Sequence, residues 1–380
     1  MGGDVHVAVD GSGLARPTAG VGIYTRQILR ALAALPEGPS GLSVFAPAGA
    51  ALDVPGTALR PLPSLPLVGR HVAWPLELRR LGAAGGSGGR PPTSWLFFGC
   101  AGQLPLGGVG MPSVVTVHDL AIYRHPEWFP GRQWLSTRVV VPRSLRSASA
   151  LVCVSANTAA DVAELFDVPP GRLYVVPEGV DASFRPLPEE QLQEARARLG
   201  LPERFVLFVS TLEPRKNLTT LLDAWGRLRD RPALVVAGGW GWRTEDLRAR
   251  LERAPAGVHL LQSVTPGDLP VLYNLASCLA HPAWYEGFGL TPLEAMACGT
   301  PVVVSSRSSL PEVVGDAGVL VDPADVEGWT EALGGLLADP GRRDQLRERG
   351  LRRAAELTWE RSAEQTWAVM RQLLGDGAPA

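Results

Sequence analysis

Short apolar, β-branched runs recur along the chain, separated by stretches whose apolar positions follow helical spacing. In the first half they are residues 5–9, 43–46, 95–98, 113–118, 150–154 and 173–176. The second half repeats the theme at 205–210, 233–237, 258–261, 277–280, 301–305 and 319–321. Strands that alternate with helices predict βαβ units around parallel sheets. Two such series predict an α/β protein of two Rossmann-like, doubly wound domains.

Residues 181–188 are irregular and proline-bearing, and a charged helix follows over 189–199 before a new buried strand opens at Phe205. The expected division is 1–183, 184–358 and a final amphipathic helix beginning at Trp359, on which Trp367, Met370, Leu373 and Leu374 suit packing. Residues 81–92 (LGAAGGSGGRPP) read as a flexible surface loop. Ligands of open parallel sheets bind beyond the carboxyl ends of the strands, so the loops after the strands are where chemistry is expected.

Length and composition agree with that picture. The 380 residues suit two domains of about 100–200 residues each. With 46% hydrophobic residues and a net charge of −2, disorder is excluded as the main state. Four cysteines (Cys100, Cys153, Cys278, Cys298) lack CxxC spacing and read as reduced, buried thiols rather than a disulfide framework or zinc site. The amino terminus has no signal-peptide pattern and no apolar run reaches about 18 residues, which reads as a cytoplasmic protein.

Charge sharpens the candidates. Residues 1–150 hold 13 arginines against seven acids, a balance of +6, while the whole chain carries −2. A basic first half suits an anionic substrate, a membrane surface, or scattered solvation of arginine-rich helices; the sequence lacks the basic run interleaved with aromatics that nucleic acid calls for. Lys216 is the only lysine among the 36 basic residues. It follows Arg215 in the loop after the strand at 205–210, with Asn217 placed to cap the next helix. Two cations and a helix start after a parallel strand form a clamp for a diphosphate.

The richest stretch is YEGFGLTPLEAMACGTPVVVS, residues 285–305. Thr291 reads as an N-cap, Pro292 as the first helical residue and Gly299 as the stop. Glu286, Gly287 and Gly289 then form a tight loop aimed at a helix start, a site for an anion. Glu294 has two readings, a capping-box partner of Thr291 or a ligand contact. Glu286 has no helix to cap; beside a phosphate-binding turn, it suits hydroxyls of the same ligand, as in a sugar attached to a diphosphate. His118 and Asp119 follow the strand at 113–117 and read as a structural histidine or a general base. Gly11-Ser-Gly13 opens like a dinucleotide fingerprint but ends in Arg16, so that motif fails. Gly20 and Gly22 suit close approach to a ligand or the turn into a helix.

Glu286, seven intervening residues and Glu294 resemble the paired-glutamate signature of retaining glycosyltransferases of family 4 (GT4). Further blocks match in order: AGVGIY (19–24), TVHDL (116–120), VSANT (154–158), VPEGVD (176–181), TLEPRKNL (211–218) and SSLPEVVGDAGVLVDP (308–323). The resemblance implies a GT-B fold, with a nucleotide-sugar donor bound mainly by the second domain, an acceptor by the first, and the final helix crossing back to the first. By position, Glu286 binds donor-sugar hydroxyls and Glu294 the nucleotide ribose. The backbone of Phe288, Gly289, Leu290 and Thr291 faces the diphosphate, Arg215 and Lys216 neutralise it, and His118 contacts the transferred sugar. Residues 19–22 line the cleft, and the loop 262–266, including Val264, meets the base.

The same resemblance implies same-face transfer with retention, a phosphate oxygen taking the acceptor proton. No Asp-x-Asp triplet occurs in the sequence; arginine, lysine and helix amides can supply the charge, so no metal and no cofactor are expected. GVGIYTRQILRAL, HDLAIYRHPEWF and LEPRKNL resemble the subgroup containing bacterial O-antigen mannosyltransferases, which favours GDP-mannose and a saccharide on a lipid carrier, with the basic domain against anionic lipid. UDP- or dTDP-sugars, an epimerase, a phosphorylase and a silent sugar-nucleotide binder are the alternatives. Two departures stand out: Glu178 where the family often has asparagine, and Ala283 where serine is common.

Overall fold

A computed structural model of the chain describes residues 4–16, 20–62, 69–84, 94–131, 134–253 and 255–375. In the first sheet, β1 (Val5–Asp10), β2 (Gly41–Ala46), β3 (Thr57–Pro61), β4 (Ser94–Gly99), β5 (Ser113–Val117), β6 (Ala150–Cys153) and β7 (Leu173–Val175) lie in the order β3-β2-β1-β4-β5-β6-β7. The second contains β8 (Phe205–Val209), β9 (Ala233–Ala237), β10 (Val258–Leu261), β11 (Cys278–His281), β12 (Val302–Ser305) and β13 (Gly318–Val321), in the order β10-β9-β8-β11-β12-β13. Pairing between these strands is parallel, with Val7 opposite both Leu42 and Leu96, and Leu207 opposite both Val235 and Leu279. Both are Rossmann-like sheets, as expected from the alternation of runs and helices.

Central strands are apolar because helices cover both faces of a parallel sheet; every residue of β5, β6, β11 and β12 is buried. The strand missed by the sequence reading is β3. It is an edge strand, half exposed, with Leu59 at the surface and Arg60 and Pro61 closing it, so it lacks the apolar signature. Residues 81–84, expected in a loop, form the last turn of the helix Trp74–Ala84, and 85–92 lie outside the described residues.

Two compact units divide the chain. One holds the first sheet and the terminal helix Trp359–Leu373; the other holds residues 124–131 and the described part of 180–358. In the first, Trp359, Ala363, Trp367 and Met370 form the buried stripe of the terminal helix. It packs on the helix Gly20–Ala34, where Tyr24 meets Trp359 edge-on at 5.7 Å, and Trp367 Nε1 donates to the Glu37 carbonyl at 2.6 Å. In the second, Trp225 and Trp329 fill the core on one side of the sheet, their indole N–H groups donating to Pro232 O (2.8 Å) and Asp322 O (3.0 Å). Burying such large apolar bodies with their polar handle satisfied is what lets tryptophan serve a core.

Candidate active site

Each sheet reverses its strand order once, between β1 and β4 in the first unit and between β8 and β11 in the second. Ligands of such sheets sit at that reversal, beyond the carboxyl ends of the strands. In the second unit the loop after β8 carries Glu213, Arg215 and Lys216, and β11 ends on His281, five positions before Glu286. These side chains meet.

Asn217 makes the meeting possible. Its backbone is left-handed (φ 55°), a conformation that asparagine tolerates, and its amide donates to Pro282 O (3.1 Å) and Pro323 O (2.8 Å). The expected cap is therefore different in kind. Asn217 stands at the N-cap position, but no backbone N–H reaches its side chain; Oδ1 instead accepts from Thr220 Oγ1 at 2.9 Å. A second tie runs from Trp284 N to Arg215 O at 2.8 Å. The two loops are thus stitched together before any charge pairs.

On that frame Lys216 Nζ donates to Glu286 Oε1, His281 Nε2 lies 2.8 Å from the same oxygen, and Arg215 Nη1 lies 3.2 Å from Glu286 Oε2. Arg215 also reaches Glu213 at 2.5 Å. Glu286, Lys216 and His281 are all buried. Burial pushes the Glu286 carboxyl up, but Lys216 and Arg215 outweigh it and hold it well below the usual carboxylate range. Burial, with the two cations against the pull of Glu286, moves His281 down, so its ring is neutral and Nε2–H is the donor. Among the described residues His281 Nδ1 is buried without a hydrogen-bond partner, which fits an unprotonated nitrogen. Burial and Arg215 also lower Lys216, against the pull of Glu286 and Glu213.

The loop of Glu286 is latched from behind. Ser308 Oγ and Ser309 Oγ both donate to Glu286 O (2.5 and 2.9 Å), and Ser309 Oγ also contacts Phe288 O at 2.5 Å. Gly289 has φ 123°, a backbone conformation that favours glycine, and a Cβ there would also press on Leu310 Cδ2 at 2.9 Å. The helix Leu290–Ala297 follows, with Gly289 as N-cap. Thr291 is therefore its second residue and Pro292 its third, so the helix starts two residues earlier than a cap at Thr291 would place it, because the turn is made by the glycine. Leu290 and Thr291 present N–H groups that no intrahelical acceptor reaches.

Glu294 is no capping-box partner. It projects from the third position after Thr291, is buried, and accepts from Tyr273 OH at 2.7 Å. Burial and the Glu294 charge raise Tyr273 well above its ordinary value, so it stays a donor. Val264 lies in a loop bordering a cavity of about 340 Å³, with Gln262, Ser263, Asp268 and Leu272. A larger cavity of about 600 Å³ borders Asp223, Trp225, Asp246 and Arg250, and none of the candidate site residues lines it.

In the first unit His118 follows β5, and its partner is Glu178 rather than Asp119. Nδ1 lies 3.3 Å from Glu178 Oε1 and Nε2 lies 2.8 Å from Cys100 O, while Asp119 Oδ1 accepts from Ala121 N at 3.2 Å. Gly22 is forced by its own turn, since a Cβ would stand 2.1 Å from Arg16 O; Gly20 has open space around it. Of the block at 19–22, residue 19 lies outside the described residues. The arginine that spoils the dinucleotide motif is thus the group against which Gly22 closes.

Two sequence profiles match the chain, "Glycosyltransferase Family 4" over residues 18–184 and "Glycosyl transferases group 1" over 191–353. A D-inositol 3-phosphate glycosyltransferase of Salinispora tropica is 34% identical over 91% of this chain and 79% of its own. The chain belongs to glycosyltransferase family 4. This glycosyltransferase is also 35% identical to the O-antigen chain mannosyltransferase B of Escherichia coli, over 67% of this chain and 68% of that one. Among solved structures, the sucrose-phosphate synthase of Thermosynechococcus elongatus superposes with a TM-score of 0.74 at 26% identity, over 97% of this chain and 99% of that one. The glycosyltransferase therefore has the GT-B fold and is a retaining enzyme that uses a nucleotide sugar and a saccharide acceptor.

The structure brings Glu286, Arg215 and Lys216 into one cluster, places Glu294 with Tyr273, and sets His118, Gly20 and Gly22 in the first unit. His281, Tyr273 and the serine pair were missed by sequence reasoning. His281 had a signal: it closes a strand at the ligand edge, one residue beyond where the apolar run was ended. Tyr273 had none, because its hydroxyl meets Glu294 only through packing of two helices.

Proposed function

We propose that the cluster in the second unit holds the hexosyl diphosphate of the donor. The observation that carries this reading is the convergence of Lys216, Arg215 and His281 on Glu286 at the strand reversal, directly ahead of the helix Leu290–Ala297. Two cations and the Leu290 and Thr291 amides supply the positive charge that a departing nucleoside diphosphate needs, so turnover is expected without added metal and in the presence of a chelator. An incoming diphosphate competes with Glu286 and Glu213 for the cations, and Glu286 turns its remaining acceptor capacity to sugar hydroxyls. Glu294, oriented by Tyr273, takes the ribose, and Val264 borders the base. The resemblance assigns His118 to the transferred sugar and Gly20 and Gly22 to the acceptor side.

Retention follows from attack on the face the diphosphate leaves, a phosphate oxygen accepting the acceptor's proton. Glu286 is a poor nucleophile here, because Lys216, His281 and Arg215 engage both its oxygens. A glycosyl adduct trapped on Glu286 would overturn that mechanism.

For the donor, a UDP- or dTDP-sugar stands ahead of GDP-mannose, since the relative aligned over 91% of the chain is not a mannosyltransferase by name. GDP-mannose is the second reading, supported by the likeness to the O-antigen mannosyltransferase. A thermal-shift panel with UDP, dTDP and GDP and their sugars decides: stabilisation by GDP-mannose alone sinks the first choice. A lipid-linked acceptor and contact with anionic membrane are proposed on the basic balance of residues 1–150 and on Val72 and Leu76, both exposed and four positions apart. No helix of the described residues is long and apolar enough to cross a membrane. Sedimentation with vesicles containing phosphatidylglycerol, compared with neutral vesicles, tests the contact.

A further inference from the structure

Both ring nitrogens of His118 face acceptors, Glu178 Oε1 at 3.3 Å and the Cys100 carbonyl oxygen at 2.8 Å. A neutral imidazole carries one N–H, so it can serve only one of these and sets a lone pair against the other. The imidazolium serves both. Little water is available to relieve a mismatch, since the side chains of His118 and Glu178 are 17% and 6% exposed. Tyr24 closes the ring from the side, edge-on at 4.7 Å, its hydroxyl sharing a 2.9 Å hydrogen bond with Thr116 Oγ1. Among the described residues, the ionisable groups around the ring are Glu178 and Asp119, both acidic, and the buried Tyr24 and Cys100, whose burial keeps them protonated.

We propose that Glu178 is a positioning residue: it holds His118 as the doubly protonated imidazolium, clamped between a carboxylate and the Cys100 carbonyl, and so fixes a cation at the carboxyl edge of the first sheet. With both N–H groups committed, the ring has no basic nitrogen and is not a general base. What it contributes is its charge and the fixed path of residues 118–121. Burial alone would lower the imidazole's affinity for the proton; the hydrogen bond and charge of Glu178 outweigh it and raise the His118 pKa above its ordinary value. The kinetic consequence rests on the assignment of His118 to the transferred sugar; the clamp does not.

Nitrogen NMR of the full chain labelled with ¹⁵N-histidine tests the clamp without substrate, the His118 signals being assigned by His118→Gln. Both ring nitrogens are expected in the protonated range at pH 7, losing their proton on the alkaline side of an ordinary imidazole. Glu178→Gln, which keeps an acceptor but removes the charge, moves that titration toward acid. A wild-type ring with one bare nitrogen at pH 7, or the same titration in Glu178→Gln, overturns the clamp; if the variant does not fold, the wild-type spectrum decides. With the donor found by the thermal-shift panel, the alkaline limb of kcat/KM moves in the same direction in Glu178→Gln, with a loss of roughly tenfold at pH 8 and little at pH 6. A limb that stays in place while the NMR titration moves overturns the positioning role and leaves the family activity standing.

Discussion

Each unit of this glycosyltransferase sets a histidine against a buried glutamate at the carboxyl edge of its sheet, and the two rings are held in different charge states. His118 and Glu178 have acidic and neutral company, so the carboxylate wins over burial and the ring is charged. His281 and Glu286 share their site with Lys216 and Arg215, which satisfy the carboxylate and repel a proton from the ring. The same pair of residue types therefore gives a fixed cation in one place and a neutral donor in the other. What decides is how deeply the ring is buried and which further charges surround the pair, not the pair itself.

The largest test of that contrast is Lys216→Met. Among the described residues it leaves the buried Glu286 with Arg215 as its one remaining full cation, and breaking a buried ion pair from one side costs about 3–5 kcal/mol. The expected readout is a melting temperature lower by roughly 10 °C and transfer reduced beyond assay. A melting curve that superposes on the wild type would mean that the second pair does not depend on its lysine. Lys216→Arg is milder. Charge survives while a compact ammonium becomes a planar fork in a buried site, so turnover should drop by roughly tenfold with a smaller change in melting; unchanged turnover would return the lone lysine to coincidence.

The pH dependence separates the two pairs directly. His118 has a raised folded pKa, so its stabilisation is complete below the unfolded value of about 6.5 and is lost as pH rises through the folded one. His281 and Glu286 are lowered, so their contributions are lost as pH falls, His281 below about 6.5 and Glu286 at lower pH still. Melting of His118→Phe and of His281→Phe against wild type from pH 5 to 9 should give differences with slopes of opposite sign. Slopes of one sign would break the comparison. The smallest expected effect is from Tyr273→Phe, which removes one hydrogen bond to Glu294, worth about 1 kcal/mol, and should weaken nucleotide binding about fivefold by calorimetry. An unchanged Kd would detach Glu294 from the ribose.

Much of this was legible before any coordinates. Apolar runs located twelve of the thirteen strands among the described residues, because a strand buried on both faces must be apolar throughout, and the exposed edge strand β3 escaped for the converse reason. Glu286, Arg215 and Lys216 stood out by composition and by their place after strands. Local rules did less well at termini: Thr291 and Asn217 looked like caps, yet a glycine with positive φ made one turn and a left-handed asparagine used its amide for the other.

Sequence by itself determined the two doubly wound units, the family and the loops that carry the chemistry, since strand period and loop composition are properties of neighbouring residues. Only the tertiary structure decided which charges meet. Lys216 and Glu286 lie 70 positions apart and His118 and Glu178 lie 60 apart, and each pair is joined by strand order rather than by local spacing. A proton's affinity for a ring depends on every charge within a few ångströms and on the water excluded around it. Those distances exist only after the sheets have formed.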